Sequence, residues 1–184
     1  GITAMDEEGK ALWSGSYDMA DPAVDICGPY VVAADIGGKD LFVYNGEDTG
    51  TEMATDYPIL QACVSEQGVV AVLLEDTSSN MIHVYNPYSD NKKLLVEIPT
   101  NVEEGYPVSI DLSPDGTSVV ASYICVTAGV VQSKAAFYNF TEVGQNTNCL
   151  VGAQNYKDQV ISEVRFLDDS TACLFSEKGF GIWQ

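Results

Sequence analysis

His83 is the only histidine of the chain, so any Ser-His-Asp or Cys-His relay would have to run through it. A single imidazole also excludes a multi-histidine metal site within this chain. Carboxylates are plentiful at Asp35, Asp40, Glu47, Asp48, Glu75, Asp76, Asp168 and Asp169. A pair of them could act as acid and base in glycoside hydrolysis, but that chemistry is set by their separation in space. Most fall where turns are expected, and there Asp is favoured on backbone grounds alone. No D-x-[DN]-x-[DN]-G calcium loop and no C-x-x-C pair is present. No residue is therefore assigned a catalytic, cofactor-binding or metal-ligating role, and no cofactor is expected.

The elements that would position these side chains are legible as a repeat. Tyr106 to Ile124, YPVSIDLSPDGTSVVASYI, reads as an alternating strand, a Ser-Pro-Asp-Gly turn and a second strand. Tyr57 to Cys63 followed by Gly68-VVAVLLE repeats it, as do Pro22 to Cys27 with Tyr30-VVAAD, and Ile161 to Phe166 with Thr171-ACLF. An aromatic strand follows each: Leu41-FVYN, Ile82-HVYN, Ala135-AFYN and Phe180-GIWQ. Counted from positions 22, 58, 107 and 161, the repeat length is roughly 36 to 54 residues, near that of propeller blades. His83 then shares its place with Phe42, Ala136 and Gly181, which points to a structural side chain. Tyr44, Tyr85, Tyr138 and Trp183 share another place and read as packing between blades. By the same count, Cys27 and Cys63 match Leu112 and Phe166, and Cys173 matches Val119. The cysteines are thus expected to be buried free thiols rather than a disulfide framework.

The expected fold is all-β: a β-propeller segment of about four blades, each of four antiparallel strands, belonging to a larger ring. It forms a single partial domain over 1–184, with units near 2–20 (partial), 22–54, 57–98, 106–153 and 160–184. Residues 2–17 read as two strands around the Asp6-Glu7-Glu8-Gly9 turn, the end of a preceding unit. A four-stranded sheet with two apolar faces has to stack on its neighbours, and radial stacking also protects the strand edges. Two closures are open. Two copies could join end to end in one ring, the favoured pairing, or Ala11-LWSGSY could add the missing outer strand beside Phe180-GIWQ.

The formal charge of −19 comes from 27 acidic against 8 basic side chains. Nucleic acid and anionic lipid surfaces would repel it, and Lys92-Lys93 is the only basic cluster. No apolar run is long enough for a membrane span, and no signal peptide precedes the first strand. Asn139-Phe140-Thr141 matches a glycosylation sequon inside a segment that reads as a strand.

The repeated Asn after an aromatic strand, the Ser113-Pro114-Asp115-Gly116 turn and Asp6-Glu7-Glu8-Gly9-Lys10-Ala11-Leu12-Trp13 resemble WD-like and quinoprotein-like propeller repeats. The layout also resembles a family of membrane-anchored bacterial proteins with a domain of unknown function, found in Gram-positive gut anaerobes. Such proteins carry an N-terminal membrane helix and seven or eight blades. This sequence departs on both counts and reads as a fragment of about half a ring. The resemblance implies a non-enzymatic module for protein or ligand interaction on the extracellular face of a bacterial membrane, its anchor outside this chain. The alternative it implies is an enzyme, or a quinone- or sugar-binding propeller, whose site needs further blades. Quinoprotein enzymes need a metal and a stacking Trp on the ring axis. Trp13 and Trp183 sit instead at aromatic positions of the repeat.

Overall fold

The Ser113-Pro114-Asp115-Gly116 turn shows how local sequence sets a hairpin. The Gly116 N–H donates to the Ser113 carbonyl at 2.8 Å, and Gly116 takes a φ of +73°. That conformation strains any residue with a Cβ. A Cβ here would also lie 2.9 Å from Ser65 Oγ, so neighbouring turns approach through this glycine. Asp115 Oδ1 accepts from Ser113 Oγ at 2.6 Å and from the Thr117 N–H at 3.0 Å, which fixes the turn from within.

The computed structural model describes residues 1–46, 50–77, 79–91, 93–98, 100 and 105–184. Glu47, Asp48, Lys92 and the 101–104 part of the link before Gly105 lie outside the described residues. The protein is all-β, with one 3-10 turn among the described residues, at Glu142–Thr147. A hairpin of β1 (Ile2–Met5) and β2 (Ala11–Gly15) comes first. Three four-stranded antiparallel sheets follow. The first is β3 (Pro22–Cys27), β4 (Tyr30–Asp35), β5 (Asp40–Tyr44) and β6 (Thr51–Ala54). The second is β7 (Ile59–Val64), β8 (Val70–Leu74), β9 (Met81–Asn86) and β10 (Lys93–Ile98). The third is β11 (Tyr106–Leu112), β12 (Ser118–Thr127), β13 (Val130–Asn139) and β14 (Leu150–Lys157). A three-stranded sheet of β15 (Ile161–Phe166), β16 (Ala172–Ser176) and β17 (Gly179–Trp183) ends the series. This is a four-blade β-propeller arrangement. Among the described residues, no helix is long and apolar enough to cross a membrane.

The apolar core is divided into three seams between neighbouring blades. Val32, Leu41 and Val43 of blade 1 pack on Ile59, Val70 and Tyr85 of blade 2. Leu73, Ile82 and Val84 of blade 2 pack on Ile110, Val119 and Tyr138 of blade 3. Val120 and Ala135 of blade 3 pack on Ile161, Val164 and Leu174 of blade 4. Each sheet is apolar on both faces, and full burial of one Val or Ile stabilises by about 1.5–3 kcal/mol. Polar side chains cross the same seams. Gln61 donates to the Ile110 carbonyl at 2.9 Å and accepts from its N–H at 3.0 Å.

Tyr44, Tyr85, Tyr138 and Trp183 do share one place, each opposite a small or β-branched residue of the second strand: Val31, Val70, Val119 and Ala172. The cysteine alignment is different from the expectation. Continuing the register inward, the residue matching Leu112 and Phe166 is Ile26 in blade 1 and Val64 in blade 2. Cys63 instead shares its level with Asp25, Asp111 and Arg165, and Cys173 matches Val120. Two local irregularities explain the slip. Pro58 precedes its strand, so Ile59 is the true counterpart of Pro22, Pro107 and Ile161. β3 also pairs without the bulge that interrupts β7, β11 and β15. All five cysteines are free, with Cys63 and Cys173 buried and Cys27, Cys125 and Cys149 half-buried.

The hairpin β1–β2 pairs only with itself, so it does not complete the last blade beside β17. It lies against blade 1: Trp13 stacks on Tyr44 at 4.6 Å and on Phe42 at 5.7 Å. Aromatic burial on blade 1 fixes it there in preference to edge pairing. Val24 and Ile26 on β3 stay exposed at one end of the array. Phe175, Phe180 and Ile182 stay exposed at the other.

Candidate functional site

Two polar constellations arise from this packing. The first is the level shared by Asp25, Cys63, Asp111 and Arg165 on the first strands of the four blades. The Arg165 guanidinium lies 3.7 Å from Asp25, 3.8 Å from Asp111 and 2.9 Å from Glu163. Each aspartate also reaches into the next blade. Asp25 accepts from the Val64 N–H at 2.9 Å, and Asp111 from the Phe166 N–H at 2.6 Å. Burial pushes the Asp111 carboxyl up to about 6, against the pull of the Phe166 N–H and of Arg165. Burial, with Asp111 and Asp25 nearby, holds the Cys63 thiol well above its ordinary range and so keeps it from acting as a thiolate nucleophile. This level ties blades together.

The second constellation surrounds His83, which is 4% exposed. Its Nδ1 is 2.8 Å from the Tyr85 hydroxyl, and its Nε2 lies 3.6 Å from a Glu97 carboxylate oxygen. Burial lowers the His83 pKa despite the opposing influence of Glu97 and Asp56. In the neutral ring with its proton on Nε2, which faces Glu97 without a hydrogen-bond partner among the described residues, Nδ1 accepts a hydrogen bond from the Tyr85 hydroxyl. Burial, then Asp56 and Glu97, push the Tyr85 phenol up to about 12. At neutral pH the pair orients a ring and does not release a proton.

Tyr85 forms part of the wall of a cleft of about 680 Å³, which runs between the 16–19 link and the outer strands of blade 1. Its aromatic floor is the half-buried Tyr17, which lies over the buried Phe42 with ring centroids 4.3 Å apart. Asp18, Asp40 and Glu52 stand on its exposed rim. The Tyr17 hydroxyl is shielded from solvent and has no hydrogen-bond partner among the described residues.

Of the acidic residues singled out in the sequence, Asp40 reaches this cleft. Asp35 accepts from the Asp21 N–H at 2.8 Å, and Asp76 from the Thr77 N–H at 2.7 Å. Asp168 accepts from the Ser170 N–H at 2.8 Å, and Asp169 from the Asp115 N–H at 2.9 Å. These four serve backbone turns. The Glu75 N–H donates to the Pro58 carbonyl at 2.9 Å, which places Glu75 beside the start of β7. The Asn139 amide donates to Ser118 Oγ at 2.9 Å, at the end of β13. No group of three or more His, Cys, Asp or Glu is placed to hold a metal ion among the described residues. Tyr17, Asp18 and Glu52 carried no signal in the sequence, because the cleft joins the link after β2 to strands whose repeat pattern concerns only packing.

The profile of a family of unknown function, DUF5711, matches residues 1–184. The chain belongs to this family. The sequence matches none of the curated proteins. Solved structures share the fold: Hsv2 of Kluyveromyces lactis superposes with a TM-score of 0.58 at 12% identity, over 97% of this chain and 65% of that one. The β-propeller domain of Cps50 (Swd1) from Myceliophteria thermophila gives 0.60 at 12% identity, over 95% of this chain and 55% of that one. BBS1N, in a complex with ARL6DN, gives 0.57 at 15% identity, over 98% of this chain and 56% of that one. The chain thus spans less than two thirds of the length of each of these proteins. At such identities the likeness is one of fold.

Proposed function

We propose that this chain is a non-enzymatic propeller module that binds a partner protein, from a protein anchored at the extracellular face of a bacterial membrane. The observation that carries the binding reading is the 680 Å³ cleft with an aromatic floor and an exposed acidic rim. Clefts of this size that present a few polar groups over an apolar base suit recognition. The proton-transfer-capable pair beside it favours holding over chemistry, because His83 is buried and Tyr85 keeps its proton. Propeller neighbours that bind proteins, such as BBS1N in its complex with ARL6DN, support the same reading. Fold alone does not supply it. The anchored location rests on the family resemblance and is compatible with a charge of −19, which keeps the module itself off anionic lipid.

The test is photo-crosslinking in cells of the source organism, with a photoreactive residue placed at Asp18 on the rim or at Asp168 on a remote turn. Protein adducts formed at the rim and not at the turn support the module. Equal adducts at both positions, or none, overturn it. Proteolysis of intact cells tests the location, since an external module is degraded and an internal one survives.

A further inference from the structure

The cleft has a chemical preference that can be argued from its lining. Phe42 contacts two other rings, Tyr17 at 4.3 Å and Trp13 at 5.7 Å, and Trp13 continues to Tyr44 at 4.6 Å. A second hollow of about 460 Å³, lined by Trp13, Tyr17, Phe42 and Glu52, extends the same surface. Aromatic faces carry negative potential and attract cations. Asp18, Asp40 and Glu52 stand at these hollows, and among the described residues no Lys, Arg or His belongs to the lining of either. Lys39, the residue before Asp40, has its ammonium committed to the Asp56 carbonyl at 2.7 Å.

We propose that this cleft receives a cationic side chain, the guanidinium or ammonium of a basic segment on the partner protein. The proposal rests on the interaction reading above. An anionic ligand would meet three carboxylates with no counter-charge among the described lining residues. A neutral sugar could stack on the half-buried Tyr17 but would gain little from an unneutralised acidic rim. A cation satisfies both layers at once: its face or methylenes lie on the rings while its N–H groups reach the rim carboxylates. The 27 acidic against 8 basic residues of the whole chain would steer such a segment toward the surface. The rim and floor would then select where it docks. The rim carboxylates are exposed, so they stay hydrated until the ligand arrives.

The experiment is calorimetric titration of the whole chain with an end-blocked tri-arginine peptide, beside a tri-glutamate peptide and cellobiose. The double variant Asp40→Asn/Glu52→Gln is compared with the remote pair Glu7→Gln/Glu142→Gln, which removes the same net charge. Both pairs lie at exposed positions, and circular dichroism checks that each folds. The cleft variant is expected to weaken tri-arginine binding by about tenfold or more, and the remote pair by less than about twofold. Equal weakening by both pairs would reduce the effect to the general field of the protein and overturn the site. Binding of cellobiose without tri-arginine would make it a sugar site and overturn the cationic class. No binding of tri-arginine would also overturn that class. If rim crosslinks to protein persist in that case, only the ligand chemistry has failed, and their loss would remove the interaction reading as well.

Discussion

Replacing Asp111 by Asn tests how the level of charged residues on the first strands was built. The Asp111 side chain is 13% exposed, and burial moves its carboxyl from an ordinary 3.8 up to about 6. A folded-state value above the unfolded one means the folded protein binds the proton more tightly. The stabilising contribution is then complete below about pH 3.8 and is lost as pH rises through about 6. A rise of about two pH units corresponds to about 3 kcal/mol, an upper figure because the group keeps some solvent contact. The Asn variant keeps an oxygen for the Phe166 N–H, now 2.6 Å from the carboxylate, but has no charge to desolvate. It loses only the attraction to Arg165 at 3.8 Å. Urea unfolding of both proteins from pH 4 to pH 8 isolates this group, since the other carboxylates are common to both. The difference between variant and parent should move in favour of the variant by about 2–3 kcal/mol between pH 4 and pH 7.5. A difference that stays flat, or moves toward the parent, would show that the ion pair with Arg165 outweighs burial and would refute the reasoning.

Three further outcomes follow from the packing. Gly116→Ala should cost about 1–2 kcal/mol in denaturant unfolding, because φ is +73° and the new methyl would meet Ser65 Oγ at 2.9 Å. Tyr85→Phe should cost about 1–3 kcal/mol by leaving His83 Nδ1 without its 2.8 Å partner, and restored stability at pH 5 relative to pH 7.5 would show the ring finding a proton instead. Phe180→Glu together with Ile182→Lys should change denaturant unfolding by less than about 1 kcal/mol, since these side chains are 72% and 52% exposed. A loss above about 2 kcal/mol would show that this face is packed in the folded protein.

The blade plan was readable because each strand carries its own pattern: alternation in β11, the Pro-Asp-Gly turn, and an aromatic near the end of β5, β9, β13 and β17. The places of Tyr44, Tyr85, Tyr138 and Trp183 followed from counting, and so did the shared place of His83 and Phe42. The count failed for Cys27 and Cys63, because Pro58 lies outside its strand and β3 lacks the bulge of its counterparts. A one-residue slip turns every side chain to the other face, so Cys63 joined Asp25, Asp111 and Arg165 instead of Leu112.

The all-β class, the repeat, the turn chemistry and the acidic charge are local or additive properties, and so are written in the order and type of residues. What meets across blades is set by how the sheets stack. The Arg165 contacts join residues far apart in the chain, and the cleft exists because the link after β2 passes Asp40, Phe42 and Glu52. Repeat periodicity encodes which face each side chain takes, but the pairing of faces depends on the angle and register at which one blade stacks on the next.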